Sequence, residues 1–466
     1  ARFVHDLRQA PGIVVTEAKR NGKQIHLSGL RDPLAADPLA LLATAGFDPE
    51  RAVGRWESYY ALDPAFVLQR ARQALDPPAG VDLRIAEGRT GQQRYLWELG
   101  LWMAARGHAM ELLVTRRNPT DPVDAGGARV HGLADLAPAE LVPRVREMTL
   151  DVLLINPERS DAYDGIRANV LRPGYGTDQY RQKLHSFRNP LERRVRSALR
   201  KLPPARAKRE RERRFYEGHA PQPEVVAVSE YMRREVLDSY RIDPDRVHVV
   251  PNGIDLETFS PEPRAALREE VRAEFGIPGD ALCILFVAHN FRLKGVRMGM
   301  EQIRRLRNAG VNAHLLVAGR GTGAVQRAQA RGWAARMGIS AATHLPGVVH
   351  PVMRAYAAAD VFLHPSWHDS FGFVVLEAMG AGLPPLTSPW AGASMLVDEG
   401  RAGFVVDPAD AGTVYRRLRE LADGDLRRRM GAEARRIAER YGEEANFAQV
   451  EKVCRIAAGR QEGPVR

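Results

Sequence analysis

Short apolar runs alternate with longer segments of helical periodicity from about residue 81 onward. A run without polar alternation is typical of a parallel strand buried on both faces, and the segment between two such runs can hold a crossover helix. The pattern therefore predicts α/β structure. The predicted strands are 81–86, 110–115, 151–155, 224–228, 247–250, 284–288, 314–319, 343–347, 361–363, 386–387 and 403–406. Helices are predicted at 91–107 and from 392–394 onward, and Tyr356 is expected in the core.

The first 80 residues follow a different pattern. Residues 12–16 and 24–28 alternate between apolar and polar positions, and Asn21-Gly22 lies between them, which predicts a β-hairpin. Asp-Pro pairs follow at 32–33, 37–38, 48–49 and 63–64, and short helical stretches are expected between them. We interpret residues 1–80 as a small α+β accessory segment of unknown role.

The stretch 361–377 has the outline of a ligand site. An apolar strand leads into a polar loop that ends at Asp369, and a helix is predicted to open near Ser370 and to carry Glu377. Ligands of open α/β sheets collect beyond the carboxyl ends of parallel strands, where helix N-termini present free N–H groups. Since a helix rises about 1.5 Å per residue, the two carboxylates would lie roughly 10 to 12 Å apart.

A nucleotide diphosphate sugar fits that layout. Its sugar hydroxyls could donate to Asp369 and its ribose hydroxyls to Glu377, while the diphosphate faces the N–H groups of Ser370, Phe371 and Gly372. The alternative is structural: Asp369 is then a loop or capping residue, and Glu377 a solvated helix residue.

Carboxylates repel phosphate, so the interpretation requires cations from another part of the chain. Arg292 and Lys294 follow the predicted strand 284–288, at the same mouth of the sheet. Arginine can bind phosphate as a fork, and lysine acts as a point charge. The alternative is that both are ordinary surface charges after a strand.

Three motifs resemble a known family. Residues 369–382, DSFGFVVLEAMGAG, resemble the acidic-x7-Glu signature of glycosyltransferase family 4, whose members are retaining enzymes of the GT-B fold. The usual first residue of that signature is Glu, and Asp369 is one methylene shorter. Residues 251–255, PNGID, resemble the hinge between the two halves of such enzymes. Residues 286–296, FVAHNFRLKGV, are most similar to lipopolysaccharide core glucosyltransferases.

The resemblance implies two Rossmann-like doubly wound domains that face a cleft, preceded by the small α+β segment. The N-terminal Rossmann-like acceptor domain would span 81–250 and the hinge 251–261. The nucleotide-sugar donor domain would span 262–445, and the tail 446–466 would cross back to the first half, as it does in the family.

The resemblance also implies roles for individual residues. Asp369, Arg292 and Lys294 would form the catalytic group. The donor would be bound by Glu377 and the 370–372 segment, together with His289, Gly319, Val348 and His364. On the acceptor side it implies Gly91, in a loop whose glycines are separated rather than paired, and Asn156 at a strand end.

No metal or cofactor is expected. The histidines show no partners at metal-ligand spacing, and relatives of this fold generally need no metal. Cys283 and Cys454 are too far apart in sequence to form a metal or disulfide pattern, and a reducing cytoplasm fits them.

The formal charge of +11 and the pI near 9.8 indicate an anionic partner. Residues 181–214 form a basic block that could bind anionic lipid headgroups or a phosphorylated glycan. The alternative is a solvated face on two helices, with Glu192, Glu210 and Glu212 as partners. The block lacks the interleaving of aromatic and basic residues that suits single-stranded nucleic acid, so no specific nucleic acid is expected. No apolar run approaches the length of a membrane span and no leader is visible, which predicts a cytoplasmic protein, peripheral at the inner face of the membrane.

The predicted function is retaining transfer of a hexose from a nucleotide diphosphate sugar, by similarity UDP-glucose, to a cell-envelope glycan or lipid-linked acceptor such as lipopolysaccharide core. A mannosyltransferase that uses GDP-mannose is one alternative. Another is a non-catalytic GT-B relic that binds membranes or glycans. A nucleic-acid-binding protein is a third, and it rests on charge alone.

Overall fold

The structure is a computed structural model. It describes residues 13–21, 24–31, 35, 37–38, 40–41, 52–58, 91–114, 124–125, 128–132, 145, 150–155, 168–174, 203–218, 220–319 and 324–459. The chain divides into two compact units, Ala1–Ala134 and Asp135–Arg466. No helix in the described part of the chain combines the length and the apolarity needed to cross a membrane.

In its described residues, the first unit contains two three-stranded sheets. One consists of β1 (Ile13–Asn21), β2 (Gln24–Arg31) and β3 (Ala52–Ser58). The other follows α1 (Gly91–Ala105) and consists of β4 (Met110–Val114), β5 (Asp124–Ala125) and β6 (Ala128–Gly132), in the order β4-β6-β5. The predicted helix near 91–107 and strand near 110–115 are thereby confirmed, whereas the predicted strand 81–86 lies outside the described residues.

The predicted hairpin is also confirmed, because β1 and β2 pair antiparallel with Asn21 opposite Gln24. Between the Asp-Pro pairs at 48–49 and 63–64, where a helical stretch was expected, the chain instead forms β3, which pairs with β2 in parallel. Ala52 is buried and Val53 is 45% exposed, as the alternating faces of a strand require. The run 52–58 is too short for its alternation of buried and exposed residues to identify a strand from the sequence.

The second unit begins with a parallel four-stranded sheet in the order β10-β9-β8-β7. We call the described residues between 150 and 250, which contain this sheet, the N-terminal half. Its elements are β7 (Leu154–Ile155), β8 (Val170–Leu171), α2 (Pro203–Glu217), β9 (Glu224–Ala227), α3 (Glu230–Ser239), a 3₁₀ turn (Pro244–Arg246) and β10 (Val247–Val249).

The predicted strand 151–155 proves shorter. The Leu153 N–H donates to the side-chain oxygen of Asn169 at 2.8 Å, rather than to a strand backbone, so regular pairing starts only at Leu154.

Residues 261–445 form the C-terminal half, built on a parallel six-stranded sheet. Its strands are β11 (Leu282–Val287), β12 (Ala313–Ala318), β13 (Thr343–Gly347), β14 (Val361–His364), β15 (Pro385–Thr387) and β16 (Phe404–Val405). They run in the order β13-β12-β11-β14-β15-β16. The strand order therefore reverses between β11 and β14, which is the doubly wound Rossmann arrangement expected from the sequence.

Helices connect and cover these strands. They are α4 (Pro261–Phe275), α5 (Val296–Asn308), α6 (Ala324–Arg336), α7 (Met353–Ala358), α8 (Phe373–Gly380), α9 (Ala411–Glu420) and α10 (Gly424–Ala438), with 3₁₀ turns at Ser340–Ala342 and Gly392–Leu396. The chain then continues into α11 (Glu443–Gly459). The last helix, α11, packs against β8 and β9 of the N-terminal half, as the resemblance implied for the tail.

The core of the C-terminal half follows from the sequence period. Ile284 and Phe286 on β11 are fully buried, and Val296, Met300 and Ile303 bury the face of α5 that packs on them. Positions i, i+4 and i+7 share one helix face, so these apolar residues form a single stripe. This packing holds β11, one of the two strands at the reversal, in place.

The helix that carries Glu377 begins later than predicted. It starts at Phe373, after Gly372 in the left-handed region (φ 86°), and not near Ser370. The preceding residues are paired elsewhere: the Asp369 N–H donates to the Trp390 carbonyl, and the Ala393 N–H donates to the Phe371 carbonyl. Backbone groups engaged in that extended pairing cannot also form a helical turn. The helix predicted at 392–394 is only the 3₁₀ turn.

Candidate functional site

Two loops meet where the strand order reverses. One follows β11 and carries Arg292 and Lys294, and the other follows β14 and carries Asp369. The crevice beyond the carboxyl ends of strands at such a reversal is where open α/β sheets bind ligands. The structure thus brings Lys294 to the first predicted carboxylate, and Arg292 lies in the same loop as Lys294.

The two loops are packed backbone against backbone. The Trp367 N–H donates to the Leu293 carbonyl at 3.0 Å. Gly295 has a φ of 77°, and a β-carbon at that position would lie 2.9 Å from the Pro365 carbonyl oxygen. Only glycine permits both this backbone conformation and this approach. Lys294 is therefore held at a fixed distance from the loop that carries Asp369.

Asp369 lies between a cation and an imidazole. Its Oδ2 forms an ion pair with the Lys294 ammonium and lies 3.1 Å from Nε2 of His364. Burial by itself would raise the pKa of Asp369, but the Lys294 charge and then the hydrogen bond with His364 outweigh it and hold the pKa well below its usual range. Asp369 is consequently a carboxylate, an acceptor only, at any physiological pH.

Lys294 thus differs from the simple phosphate-binding cation predicted from the sequence, because it pairs with Asp369. The side chains of Lys294 and Asp369 are 16% and 22% exposed, so both reach the crevice. An ammonium has three donors, and one contact with Asp369 leaves others for a ligand.

Glu377 lies on α8 and is held by a buried tyrosine. The Tyr356 hydroxyl donates to Oε2 of Glu377 at 2.6 Å, and Tyr356 itself is fully buried against Phe259 and Phe362. Burial, and then the Glu377 charge, raise the pKa of Tyr356 well above its usual value, so the hydroxyl remains a donor. The sequence indicated that Tyr356 belongs to the core, but it contained no sign of the contact with Glu377.

Ser370 has a structural role as well as a place beside the site. It is 5% exposed, and its hydroxyl donates to the Gly174 carbonyl at 2.7 Å. The Ser370 carbonyl in turn accepts from the Ser229 hydroxyl at 2.7 Å. Gly174 and Ser229 both belong to the N-terminal half, so the loop after β14 is bound to both halves.

The remaining donor-side candidates surround the same edge of the sheet. His289 and Arg292 are exposed after β11, and Val348 is 46% exposed after β13. Gly319 follows β12 with a φ of 119°, and a β-carbon there would lie 2.2 Å from the Ala288 carbonyl oxygen. By contrast, His364 is 1% exposed and does not line the open crevice. Its imidazole forms a hydrogen bond with Asp369.

The acceptor-side candidates lie in other parts of the chain. Gly91 is the first residue of α1 in the first unit. Asn156 lies outside the described residues, as does the glycine loop 320–323. Their roles stay predictions.

No three His, Cys, Asp or Glu side chains converge on a possible metal position among the described residues. Independence from metal stays a prediction. The charged groups that the site does present are suited to hydroxyls and phosphates: two carboxylates for hydroxyl donors, and Lys294 and Arg292 for anionic oxygens.

Two family models match adjoining parts of the chain. Residues 89–258 match the model described as Glycosyltransferase Family 4, and residues 268–437 match Glycosyl transferases group 1.

Curated relatives are similar over part of their length. The D-inositol 3-phosphate glycosyltransferase of Geodermatophilus obscurus is 34% identical over 223 residues, which are 45% of this chain and 48% of that protein. The enzyme of the same name from Streptomyces scabiei is 34% identical over 233 residues, 48% of this chain and 51% of that protein. The chain thus spans about half the length of these relatives.

Solved structures share the fold. WaaG, a glycosyltransferase involved in lipopolysaccharide biosynthesis, superposes with a TM-score of 0.62 at 21% identity, covering 80% of this chain and 97% of its own. The sucrose-phosphate synthase of Thermosynechococcus elongatus gives 0.61 at 19% identity, covering 80% and 94%. Anabaena HepE in complex with UDP gives 0.61 at 16% identity, covering 80% and 98%. The solved structures and the reversed parallel sheet show the GT-B fold, and the two family models, which together match residues 89–258 and 268–437, show that the chain belongs to glycosyltransferase family 4.

Proposed function

We propose that the protein is a retaining hexosyltransferase. It takes a hexose from a nucleotide diphosphate sugar and transfers it to a hydroxyl of a cell-envelope glycan or lipid-linked acceptor. The observation that carries the proposal is the meeting of Asp369 with Lys294 at the strand reversal, with Glu377 on the helix that follows. In this proposal Asp369 accepts from a sugar hydroxyl and Glu377 from the ribose.

The chemistry requires stabilisation of a leaving diphosphate. The bond between the anomeric carbon and the phosphate oxygen breaks while a bond from the acceptor oxygen forms on the same face, and the acceptor proton passes to the leaving phosphate. Negative charge develops on the leaving oxygen, where Lys294 and Arg292 supply cations. No separate base is needed in this scheme, since the leaving phosphate takes the proton.

UDP-glucose is the proposed donor, and GDP-mannose is the alternative. The same fold binds UDP and UDP-glucose in Anabaena HepE. Lipopolysaccharide core is the proposed acceptor. A second candidate acceptor is D-inositol 3-phosphate, after the name of the relatives that are 34% identical over half their length.

The proposed site of action is the cytoplasmic face of the membrane, and α2 supports it. Arg206, Arg213 and Arg214 are exposed on this helix, whereas Phe215 and Tyr216 are buried. Each basic residue near an anionic surface contributes about 1 kcal/mol of attraction, so the exposed arginines could hold the protein near a lipid-linked acceptor.

The function is tested by binding and by transfer. Unfolding temperature is measured with UDP-glucose, GDP-mannose, UDP and GDP, because a ligand that binds the native state raises it by mass action. The donor that binds is then supplied with lipopolysaccharide core or with D-inositol 3-phosphate, each with anionic and with zwitterionic vesicles. We expect stabilisation by UDP-glucose, transfer to the core acceptor, and faster transfer with anionic vesicles.

Other outcomes separate the alternatives. Stabilisation by GDP-mannose alone would identify the mannosyltransferase. Binding to vesicles without transfer or donor hydrolysis would identify a non-catalytic relic. Retention is read from the anomeric configuration of the product, and an inverted product would refute the proposed chemistry.

A further inference from the structure

The contacts of Asp369 are concentrated on one of its two carboxylate oxygens. Oδ2 receives both the Lys294 ammonium and the imidazole of His364. The third wall beside this oxygen is Gly372, where a β-carbon would lie 3.3 Å from Oδ2 and 3.6 Å from Nε2 of His364. Among the described residues, none donates to Oδ1. Oδ1 is thus the oxygen left for a ligand.

The protonation of His364 follows from its partner. A carboxylate can only accept, so the hydrogen of the shared bond belongs to Nε2. Burial lowers the pKa of His364, and although Asp369 opposes this effect, the net shift is downward. The ring is therefore neutral at neutral pH, with its hydrogen directed at Asp369.

The imidazole is itself held in place. His364 ends β14, is 1% exposed, and its ring is nearly parallel to that of Phe362, with centroids 5.9 Å apart and planes 15° apart. Lysine is flexible along four carbons, whereas the buried His364 ring is confined by its packing against Phe362. His364 can therefore orient the carboxylate more strictly than Lys294, which supplies the charge.

We propose that His364 is a positioning residue for the donor sugar. Its Nε2–H donates to Oδ2 of Asp369 and sets the plane of the carboxylate, so that Oδ1 is presented to a hydroxyl of the transferred hexose. This inference rests on the proposed function, because it assigns the sugar end of a nucleotide sugar to Asp369. It separates two parts of recognition: His364 acts on the hexose, and not on the nucleoside diphosphate.

Two substitutions test the proposal. His364→Phe keeps a ring but removes the donor, and His364→Gln returns an N–H close to the position of Nε2. Affinities for UDP and for UDP-glucose are measured by calorimetry, or for GDP and GDP-mannose if the wild-type protein binds that pair. We expect His364→Phe to bind the nucleoside diphosphate as the wild type does. It should bind the nucleotide sugar about tenfold more weakly, the size expected when the hydrogen bond from the hexose to the Asp369 carboxylate is lost.

The glutamine variant tests whether a restored N–H donor also restores affinity for the nucleotide sugar. His364→Gln should recover most of the affinity for the nucleotide sugar, which a merely structural loss would not allow. If His364→Phe does not fold, His364→Asn replaces it, since its shorter amide does not reach Oδ2. Equal loss of affinity for both ligands in the phenylalanine and glutamine variants would overturn the positioning role, and so would an unchanged affinity in the variant that lacks the donor.

Binding of nucleotide sugars to the wild-type protein tests the proposed function separately from the role of His364. If it binds neither nucleotide sugar, the proposed function fails, and the role of His364 fails with it. If it binds one and the variants behave alike, the proposed function stands and only the positioning role is refuted.

Discussion

At the scale of single residues, the site depends on side chains that hold other side chains. The Tyr356 hydroxyl fixes Glu377, and His364 and Lys294 fix Asp369. A buried carboxylate without such donors would be costly, because the charge would lose its hydration without compensation. The supporting residues therefore maintain both the geometry and the ionised state of the two acceptors.

Lys294→Ala tests the residue on which the charge balance depends. Loss of the ammonium leaves the diphosphate without one of its two proposed cations and Asp369 with only His364 as a described side-chain partner. We expect kcat to fall by about 10² to 10³, the range seen when one donor to a developing oxyanion is removed. Steady-state transfer from the donor that binds is the measurement.

Lys452→Ala is the matched control, because Lys452 is exposed on α11. It should leave transfer unchanged. Turnover equal to wild type in Lys294→Ala, at both saturating and low donor, would remove Lys294 from the mechanism.

At the scale of elements, two neighbouring strands share a histidine pair. His314 on β12 and His344 on β13 lie side by side, with Nδ1 of His314 2.9 Å from Nε2 of His344 and rings stacked at 5.2 Å. Burial first, and then His344 and Arg307, lower the pKa of His314 to about 4, and burial lowers that of His344. The folded protein thus favours neutral rings, one donating to the other.

This pair predicts acid sensitivity. Both histidines have pKa values near 6.5 in the unfolded chain, so between pH 6.5 and about 4 the unfolded state binds more protons than the folded state. The stabilisation is complete above pH 6.5 and is lost as the pH falls toward 4. We expect the unfolding temperature to decrease from pH 7 to pH 5, and to decrease less in His314→Asn. Thermal unfolding at a series of pH values measures this.

His289→Asn controls for the loss of a histidine as such, because His289 is exposed. Its pH profile should match that of the wild type. A His314→Asn profile as steep as the wild-type profile would show that the pair does not titrate on unfolding.

At the scale of the whole second unit, the donor loop joins the two halves. Ser229, which caps α3, donates to the Ser370 carbonyl, and the Ser370 hydroxyl donates to the Gly174 carbonyl. The Tyr231 hydroxyl lies 3.2 Å from Nδ1 of His368 in the same loop. The loop that presents Asp369 is therefore held from the opposite half.

Ser229→Ala should weaken this link. The change removes the hydroxyl that reaches Ser370 and also the cap on the Met232 N–H, a loss of about 1 kcal/mol in stability. We expect KM for the nucleotide sugar to rise by a few-fold, with a smaller change in kcat, because the loop loses its partner across the halves. Steady-state kinetics and thermal unfolding are measured together.

Asp410→Ala separates capping from loop positioning. Asp410 caps α9 through the Thr413 N–H and has no described contact with the N-terminal half. Its unfolding temperature should fall by a similar amount while KM stays at the wild-type value. A similar KM in both variants would mean that the Ser229 contact contributes only stability.

β11, β12 and β14 were predictable because each is a nearly continuous apolar run followed by a turn or helix signal. The predicted ranges 284–288 and 314–319 differ from β11 and β12 by only one or two residues at their ends. Prediction failed where pairing partners decide the local structure. Residues 369–371 form extended pairs with 390–393 instead of opening a helix, and β3 exists because it pairs with β2.

The sequence predicted the charged residues of the site. Asp369 and Glu377 lie at a fixed spacing, and Arg292 and Lys294 follow an apolar strand. Residue types and spacings are local, and they suffice to indicate hydroxyl and phosphate chemistry. The pairing of Lys294 with Asp369, across 75 positions, and of Tyr356 with Glu377, across 21, depends on strand order and helix packing. Only the folded sheet, whose order reverses between β11 and β14, brings those distant loops to one crevice.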